Sequence, residues 1–477
     1  MTALPHGLIV IAKRDCPTCQ LIEPLLADID RRSGPLTVYS QDDPGFGSEV
    51  RDSHYDNSLE HSFRLNAEFV PTLIRMENGK EVERTYGWHR EDWQRLTGLD
   101  DLGADLPLMR PGCGSKTLEP GVAEKLELKF GDTRLGARSI ETDADDLIEA
   151  CYERGWSDGL PVVPPTPERV LRMLKGTDRD PAEEVGLVPP DLAPCTVEKV
   201  AINAVMAGCK PEYMPVVLAA LEAALTDEFG LHGLLCTTMF AGPMIIANGP
   251  VTKAIGMNSG GNALGQGNRA NATIGRALQL IVRNVGGGRP GEIDRATLGT
   301  PGKYTFCFAE AEDSEWMPLA QERGIAAGRS AVTLFAAEGV QGIVDQKSRD
   351  PESLAKSFAL ALRAVDHPKM AMAGDAVLVV SPEHSRVFIE AGWSKARLLE
   401  ELESLLKFPG EEMVAGAGGI AEGIPEQFRD KTVSKFRPGG LLIVRAGGTA
   451  GLFSAVIAGW AASGPVGSTS VTREVKV

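Results

Sequence analysis

The sequence holds no apolar run near the about 18 residues a helix needs to cross a bilayer, and no run of Lys or Arg. Its 49 basic side chains are outnumbered by 65 acidic ones, for a net charge of −16. That is the opposite of the basic footprint that a phosphate backbone or an anionic membrane surface demands, so neither nucleic acid nor membrane is an expected partner. The opening "MTALPHGLIVIAKRDC" has no basic leader before its short apolar run and no small-residue cleavage site after it. No signal peptide is therefore read, and a cytoplasmic location is expected. Only 7 histidines occur, and His232, His367 and His384 have no partner at metal-ligand spacing. HExxH, GxSxG and GxxxxGK[ST] are all missing, which leaves zincin, α/β-hydrolase and P-loop readings without their motifs. No metal and no organic cofactor is expected.

Cysteine is also sparse. Eight residues, scattered except for one pair, fit a reducing compartment and not a disulfide framework. The exception is "RDCPTC", with Cys16 and Cys19 two residues apart. The strand-like "GLIVIA" precedes it, and Leu21, Ile22, Leu25, Leu26 and Ile29 follow at helical spacing. A cysteine at a helix N-terminus faces unpaired N–H groups and the positive dipole end, which favour its thiolate. Cys16 is thus the expected attacking thiol and Cys19 the resolving one, with Lys13 and Arg14 as further support for the thiolate. Half a zinc site would need two more ligands, and no second CxxC or CxxH exists.

The elements expected from residue 6 to 98 continue as strand, helix, a hairpin turning at Asn78-Gly79, and a helix ending at Gly98. This βαβαββα order, the CxxC at a helix start, and "VPT" opening the third strand together resemble the thioredoxin fold. The resemblance implies a cis peptide before Pro71, with that proline facing the cysteine pair. "RDCPTC" lacks the tryptophan and Gly-Pro of the usual thioredoxin site, so thioredoxin's own substrates do not carry over.

The chain is 477 residues long, more than one core sustains, so further domains must follow. Residues 99–142 mix acids, prolines and glycines and read as a linker carrying Cys113 in "RPGCGSK". The flanking glycines suggest an exposed thiol, with Arg110 and Lys116 favouring its thiolate. "CGS" ahead of a large C-terminal region resembles an uncharacterised bacterial family with a Cys- or Sec-Gly-Ser-Cys motif. Lys116 stands here in place of that motif's second cysteine.

From 143 to 477 helical and strand patterns alternate, which predicts a larger α/β domain with a mixed or mainly parallel sheet, in one or two subdomains. "MIIANGP" and "LLIVRAGG" hint at a duplicated half. "GMNSGGNALGQGNRA" fits a dinucleotide fingerprint by letters only, since no strand precedes it and no acid follows at the right distance. As a Gly/Asn-rich loop before a helix, it offers Asn258, Ser259, Gly260, Gly261 and Arg269 as a candidate anion or substrate site. Arg276 and Arg283 read as a solvated face. The proline-rich "GWSDGLPVVPP" reads as a rigid loop wrapping the domain, or as pocket lining through Trp156 and Asp158.

These features support a thiol-dependent redox enzyme. In that reading the CxxC domain recycles a cysteine, Cys113 being the strongest choice, that serves a small-molecule-binding α/β domain; tethering would raise the effective concentration of the reductant. A cellular thiol or disulfide reductase is the expected electron partner, and a homo-oligomer the expected assembly. Two alternatives stand beside it: a protein disulfide reductase with a client-binding C-terminal domain, and a lyase or hydrolase regulated by the redox domain.

Overall fold

The computed structural model describes residues 6–462 and 467–476; residues 1–5 of the opening stretch read for a signal peptide lie outside them. The chain forms two compact units, Met1–Arg134 and Leu135–Val477.

The first unit runs β1 (Gly7–Ala12), α1 (Pro17–Arg32), β2 (Leu36–Ser40), β3 (Asp52–Tyr55), α2 (Glu60–Arg64), β4 (Phe69–Val70), β5 (Thr72–Glu77) and β6 (Lys80–Tyr86). Then come β7 (Trp88–His89), α3 (Arg90–Thr97), β8 (Met109–Arg110), β9 (Cys113–Gly114) and α4 (Val122–Phe130). The five-stranded sheet has the order β3-β2-β1-β5-β6, parallel across β1, β2 and β3 and antiparallel across β5 and β6. Ile9, Val10 and Ile11 are fully buried at its centre, with Ile22, Leu26 and Ile29 of α1 packed against the same core. Asn78 and Gly79 both take positive φ, 50° and 74°, which is what a two-residue turn matching the twist of a hairpin requires. β3 gave no sequence signal because Asp52–Tyr55 is a polar edge strand, held through the bond from Thr37 Oγ1 to Asp52 Oδ2 (2.6 Å).

The segment expected to be a linker is built into this unit as far as Arg134. Leu99 and Leu102 are buried in the core and Leu106 packs on it. The indole N–H of the fully buried Trp88 donates to Pro107 O (2.7 Å). β8 pairs with β7 and β9 with β4, and Phe130 of α4 meets Phe63, ring centroids 6.5 Å apart. Three leucines spaced among acids and glycines were too few to stand out as a pattern, yet they suffice to anchor the chain.

The second unit is mixed α/β. β10 (Glu184–Val188) and β11 (Ala193–Thr196) form a ribbon, and β12 (Gly242–Asn248), β13 (Cys307–Ala309), β14 (Ala331–Val344) and β15 (Gly374–Val380) follow. After a second ribbon, β16 (Lys407–Pro409) with β17 (Thr432–Ser434), come β18 (Phe436–Arg445), β19 (Phe453–Gly459) and β20 (Val471–Glu474). The main sheet has the order β13-β12-β14-β19-β15-β18, with β20 added to β14. Only β12–β13 and β15–β18 are parallel; the other four pairings are antiparallel. The sheet is therefore mixed and not mainly parallel. Apolar runs buried on both faces read alike in either direction.

Alternation along β12 splits its side chains between faces. Ile245 and Ala247 join a core with the helices Val197–Ala207, Met214–Ala224 and Arg269–Asn284, while Met244 and Ile246 join Phe308, Phe335, Val379 and Val444 on the other face. Segments following β13 and β12 reach the end of β18: Ala311 N–H donates to Arg445 O (2.7 Å) and Gly447 N–H to Ser259 O (2.9 Å). The sheet thus curls around that second core.

The strand order has an internal two-fold. β12 lies between a parallel β13 and an antiparallel β14, and β15 between a parallel β18 and an antiparallel β19, with β14 and β19 joined at the centre. The counterpart of "MIIANGP" is therefore "VLVVSP" of β15 and not "LLIVRAGG". In both, the strand runs into a proline that starts a helix, Pro250 or Pro382. A buried ion pair ties the halves: Lys395 Nζ donates to Glu310 Oε1 (3.0 Å), both side chains about 3% exposed.

Two half-buried acids disturb this unit. Glu338, at the bulge of β14, and Asp366 each have one carboxyl oxygen buried without a partner. Burial, with Asp366 as a nearby like charge, raises the Glu338 pKa to about 7. Burial, opposed by Lys435, raises Asp366 to about 6. A raised acid favours the folded state below its unfolded pKa, and that advantage is lost as pH rises through the folded value. Glu338→Gln and Asp366→Asn are therefore expected to raise the melting temperature relative to wild type at pH 8, with the difference vanishing near pH 4. Thermal melts across that range check it.

Candidate redox site

α1 begins at Pro17, whose fixed φ suits the first helical position. Cys16 is its N-cap, and the Cys16 sulfur accepts the Cys19 backbone N–H (3.4 Å). As a thiol, Cys16 can donate to Val70 O (3.6 Å), and the Val70–Pro71 peptide is cis. Pro71 stands where the sequence placed it, between β4 and β5.

The third thiol joins this pair. β9 runs antiparallel to β4, with Cys113 opposite Val70 and Gly114 opposite Phe69, and Cys113 packs on the core that holds Cys16, near enough for each thiol to shift the other's titration. The seat of Cys113 is built on every side. Thr18 Oγ1 donates to Pro111 O (2.7 Å). Gln41 Nε2 donates to Ser115 Oγ (2.7 Å), and its Oε1 accepts Lys116 N–H (3.0 Å). Thr117 Oγ1 donates to Ala67 O (2.8 Å). Gly112 lies so close to Gly87 and β4 that a Cβ on it would come within 2.7 Å of Val70 O. Thr18, Gln41, Thr117 and Gly112 escaped the sequence reading, although Thr18 lies inside the CPTC motif itself.

The electrostatics separate the three sulfurs. Hydrogen bonding from the Cys19 thiol, then from Cys113 and from the Cys19 and Thr18 backbone, outweighs burial and lowers Cys16 to about 5. Burial first, then the neighbouring Cys16, pushes Cys19 far up. Burial and the neighbouring Cys16 also raise Cys113, which is half-buried and not the exposed thiol that its glycines suggested, nor one acidified as Arg110 and Lys116 led us to expect. Arg14 does not serve Cys16. Its guanidinium is taken by Glu23 and by Asp43 (2.7 Å), and its backbone N–H by Asp42 (2.6 Å).

The glycine-rich loop is closed in on itself. Asn258 Oδ1 accepts Gly260 N–H (2.9 Å), Asn258 Nδ2 donates to Gly261 O (2.9 Å), and Ser259 O is spent on Gly447. Asn268 caps the following helix and Arg269 Nε donates to Gly208 O (2.9 Å). Of the residues chosen as an anion site, Ser259 links the two halves of the sheet through Gly447. Arg276 is no solvated face: it forms a two-bond ion pair with Asp158 (2.7 and 2.8 Å), pinning the proline-rich loop. Cys151, Cys195, Cys209 and Cys307 are buried, and burial raises each. Among the described residues no group of three or more His, Cys, Asp or Glu is placed to hold a metal, and no helix is long and apolar enough to cross a membrane.

Comparison with known families and proteins finds no family model that matches the chain and no curated protein that matches it.

The geometry makes Cys16 the thiolate at neutral pH. Its alkylation by iodoacetamide is expected to rise with pH through an inflection near 5, at lower pH than for Cys19 or Cys113. Cys113→Ala removes that thiol's share of the acidification and moves the inflection upward. Gly112→Ala moves it the same way by displacing β9, and costs about 1–3 kcal/mol in stability through overpacking. Rate–pH profiles with peptide mapping check all three.

Proposed function

We propose that the protein is a thiol–disulfide oxidoreductase whose first unit is a thioredoxin-like module with three working cysteines. One observation carries the reading: Cys113, the more exposed sulfur, lies against the Cys16 thiolate, with Cys19 behind. Electrons then flow outward, from Cys19 and Cys16 through Cys113 to a substrate with a reducible sulfur–sulfur bond.

In the first step the proton of Cys113 passes to Cys16 as the Cys113 sulfur attacks a disulfide, releasing one thiolate and leaving Cys113 joined to the other half. Once deprotonated again, Cys16 attacks the Cys113 sulfur, expels the second substrate thiolate and forms a Cys16–Cys113 bond. Cys19 then attacks the Cys16 sulfur, its proton going to the departing Cys113. The products are two substrate thiols and a Cys16–Cys19 disulfide, which an external cellular dithiol reduces. Cys19, with its raised pKa, is a weak nucleophile until a disulfide forms beside it, so the reduced centre stays poised. The second unit binds the small molecule. Four of its five cysteines are buried away from solvent, which Cys113 is not, and so do not compete for the substrate.

The test is to oxidise Cys19→Ser with one equivalent of a small disulfide and map the product by mass spectrometry. A Cys16–Cys113 crosslink is expected as the main species. If Cys16 is found only on outside thiols, and Cys113→Ser turns over protein disulfides as wild type does, the protein disulfide reductase reading replaces this one.

A further inference from the structure

The second unit contains a cavity of about 580 Å³, within the size range of small-molecule sites. Its wall is mainly apolar: Leu135, Ile140, Trp156, Ile202, Met206 and Val285 are among the lining residues. The proline-rich stretch contributes Pro164 and Pro165 as well as Trp156, so the loop read as a wrapping both wraps and lines. Its position is fixed from beneath by the Arg276–Asp158 pair.

The charged side chains in the lining are Arg138, Arg154 and Lys199 against a single acid, Glu198. Glu198 is already committed, accepting the backbone N–H groups of Gly136 (2.7 Å) and Ala137 (3.0 Å) and so holding the 135–142 segment over the cavity. Of the cations, Arg154 bonds only the neutral carbonyl of Ala150 (2.9 Å) and Lys199 only that of Pro194, and none of the three is in an ion pair among the described residues. An apolar chamber with three uncompensated cations, in a chain of net charge −16, is complementary to an anion on a hydrocarbon body.

A further lining residue offers a separate polar contact, away from the anionic head. Asn203 Nδ2 donates to Lys199 O (2.9 Å), which fixes its amide. Asn284 Nδ2 then donates to Asn203 Oδ1 and to Trp156 O (both 3.0 Å). The Asn284 amide is therefore fixed too, and its Oδ1 is buried without a partner. A buried acceptor left unpaired is costly, and a hydrogen-bond donor on a bound molecule would satisfy it.

We infer that this cavity is a binding site for an amphipathic organic anion: an alkyl or aryl body lying along Trp156, Ile202 and Met206, with a carboxylate or similar head at Arg138, Arg154 and Lys199. This deepens the small-molecule role proposed for the second unit and does not depend on the thiol centre.

The experiment titrates the full chain with a dansylated undecanoate and follows the blue shift and gain of its emission. One saturable site is expected, with the probe displaced by dodecanoate and only weakly by dodecanol. Ile202→Trp fills the chamber and is expected to abolish binding. Arg138→Glu with Arg154→Glu is expected to weaken dodecanoate about tenfold and leave dodecanol unchanged. Melting curves confirm that each variant is folded; if Ile202→Trp is not, the charge pair alone decides. Unsaturable binding, or binding indifferent to the charge reversals, overturns the inference. Cys16→Ser is expected to bind the probe as wild type does. A failure of the redox reading would leave that result standing, and loss of binding in Cys16→Ser would overturn the independence claimed here.

Discussion

Two residues paired with two others set the chemistry of the first unit. Because Cys113 and Gly114 run antiparallel to Phe69 and Val70, a sulfur remote in sequence is delivered to the N-cap of α1. The carbonyl of Val70 lies against Cys16 while Val70 itself faces Cys113, so a single residue organises both thiols. Everything from Thr18 to Thr117 that touches the segment works to keep this short ladder in register, and two residues of strand could not hold it unaided. The consequence is electrostatic. Cys16 is acidified by sulfur and backbone donors and not by cationic side chains, so its thiolate persists although the nearest arginine is engaged elsewhere.

The sequence made the local elements legible and left their long-range meeting hidden. The strand before the cysteines, the amphipathic α1, the Asn78-Gly79 turn and the αL cap at Gly98 all rest on local rules, and each formed as expected. Cys113 was legible as unusual but its place was not, because glycine flanks speak of backbone freedom and not of what the backbone approaches. Here Gly112 is small because Val70 and Gly87 press on it. Likewise, asparagine and glycine in 256–268 suggested an open cradle, yet the asparagine side chains bond the loop's own backbone first. Polar loops with several amides satisfy themselves before they serve a ligand. Arg276 was misread for a related reason: its partner Asp158 lies 118 positions away, beyond any periodicity.

The second unit shows how a repeat disappears from its sequence while its topology survives. Strand direction, the proline that starts the helix after β12 and after β15, and the central β14–β19 pairing are common to both halves. The side chains have diverged: one half supplies Glu310 and the other Lys395, and together they form a pair neither half could make alone. Removing Lys395 would leave the buried Glu310 charge without its cation, at a cost of about 3–5 kcal/mol, whereas loss of Glu310 leaves Lys395 still paired with Glu322 (3.2 Å); the divergence has tied one half to the other.

That shared centre bears on how the chain comes into being. β14 emerges from the ribosome with β12 already available on one side, but the partner for its far half, β19, lies beyond β15 and β18 in the chain. Until then a long strand waits with unpaired N–H and C=O groups, the template on which nascent chains misassociate. Its far half carries Glu338 at the bulge, Gly339 beside it and Gly342 farther along, residues poorly suited to stacking against a copy of themselves. A half-buried acid that burdens the finished fold thus stands at the place where the unfinished one is most open to a wrong partner.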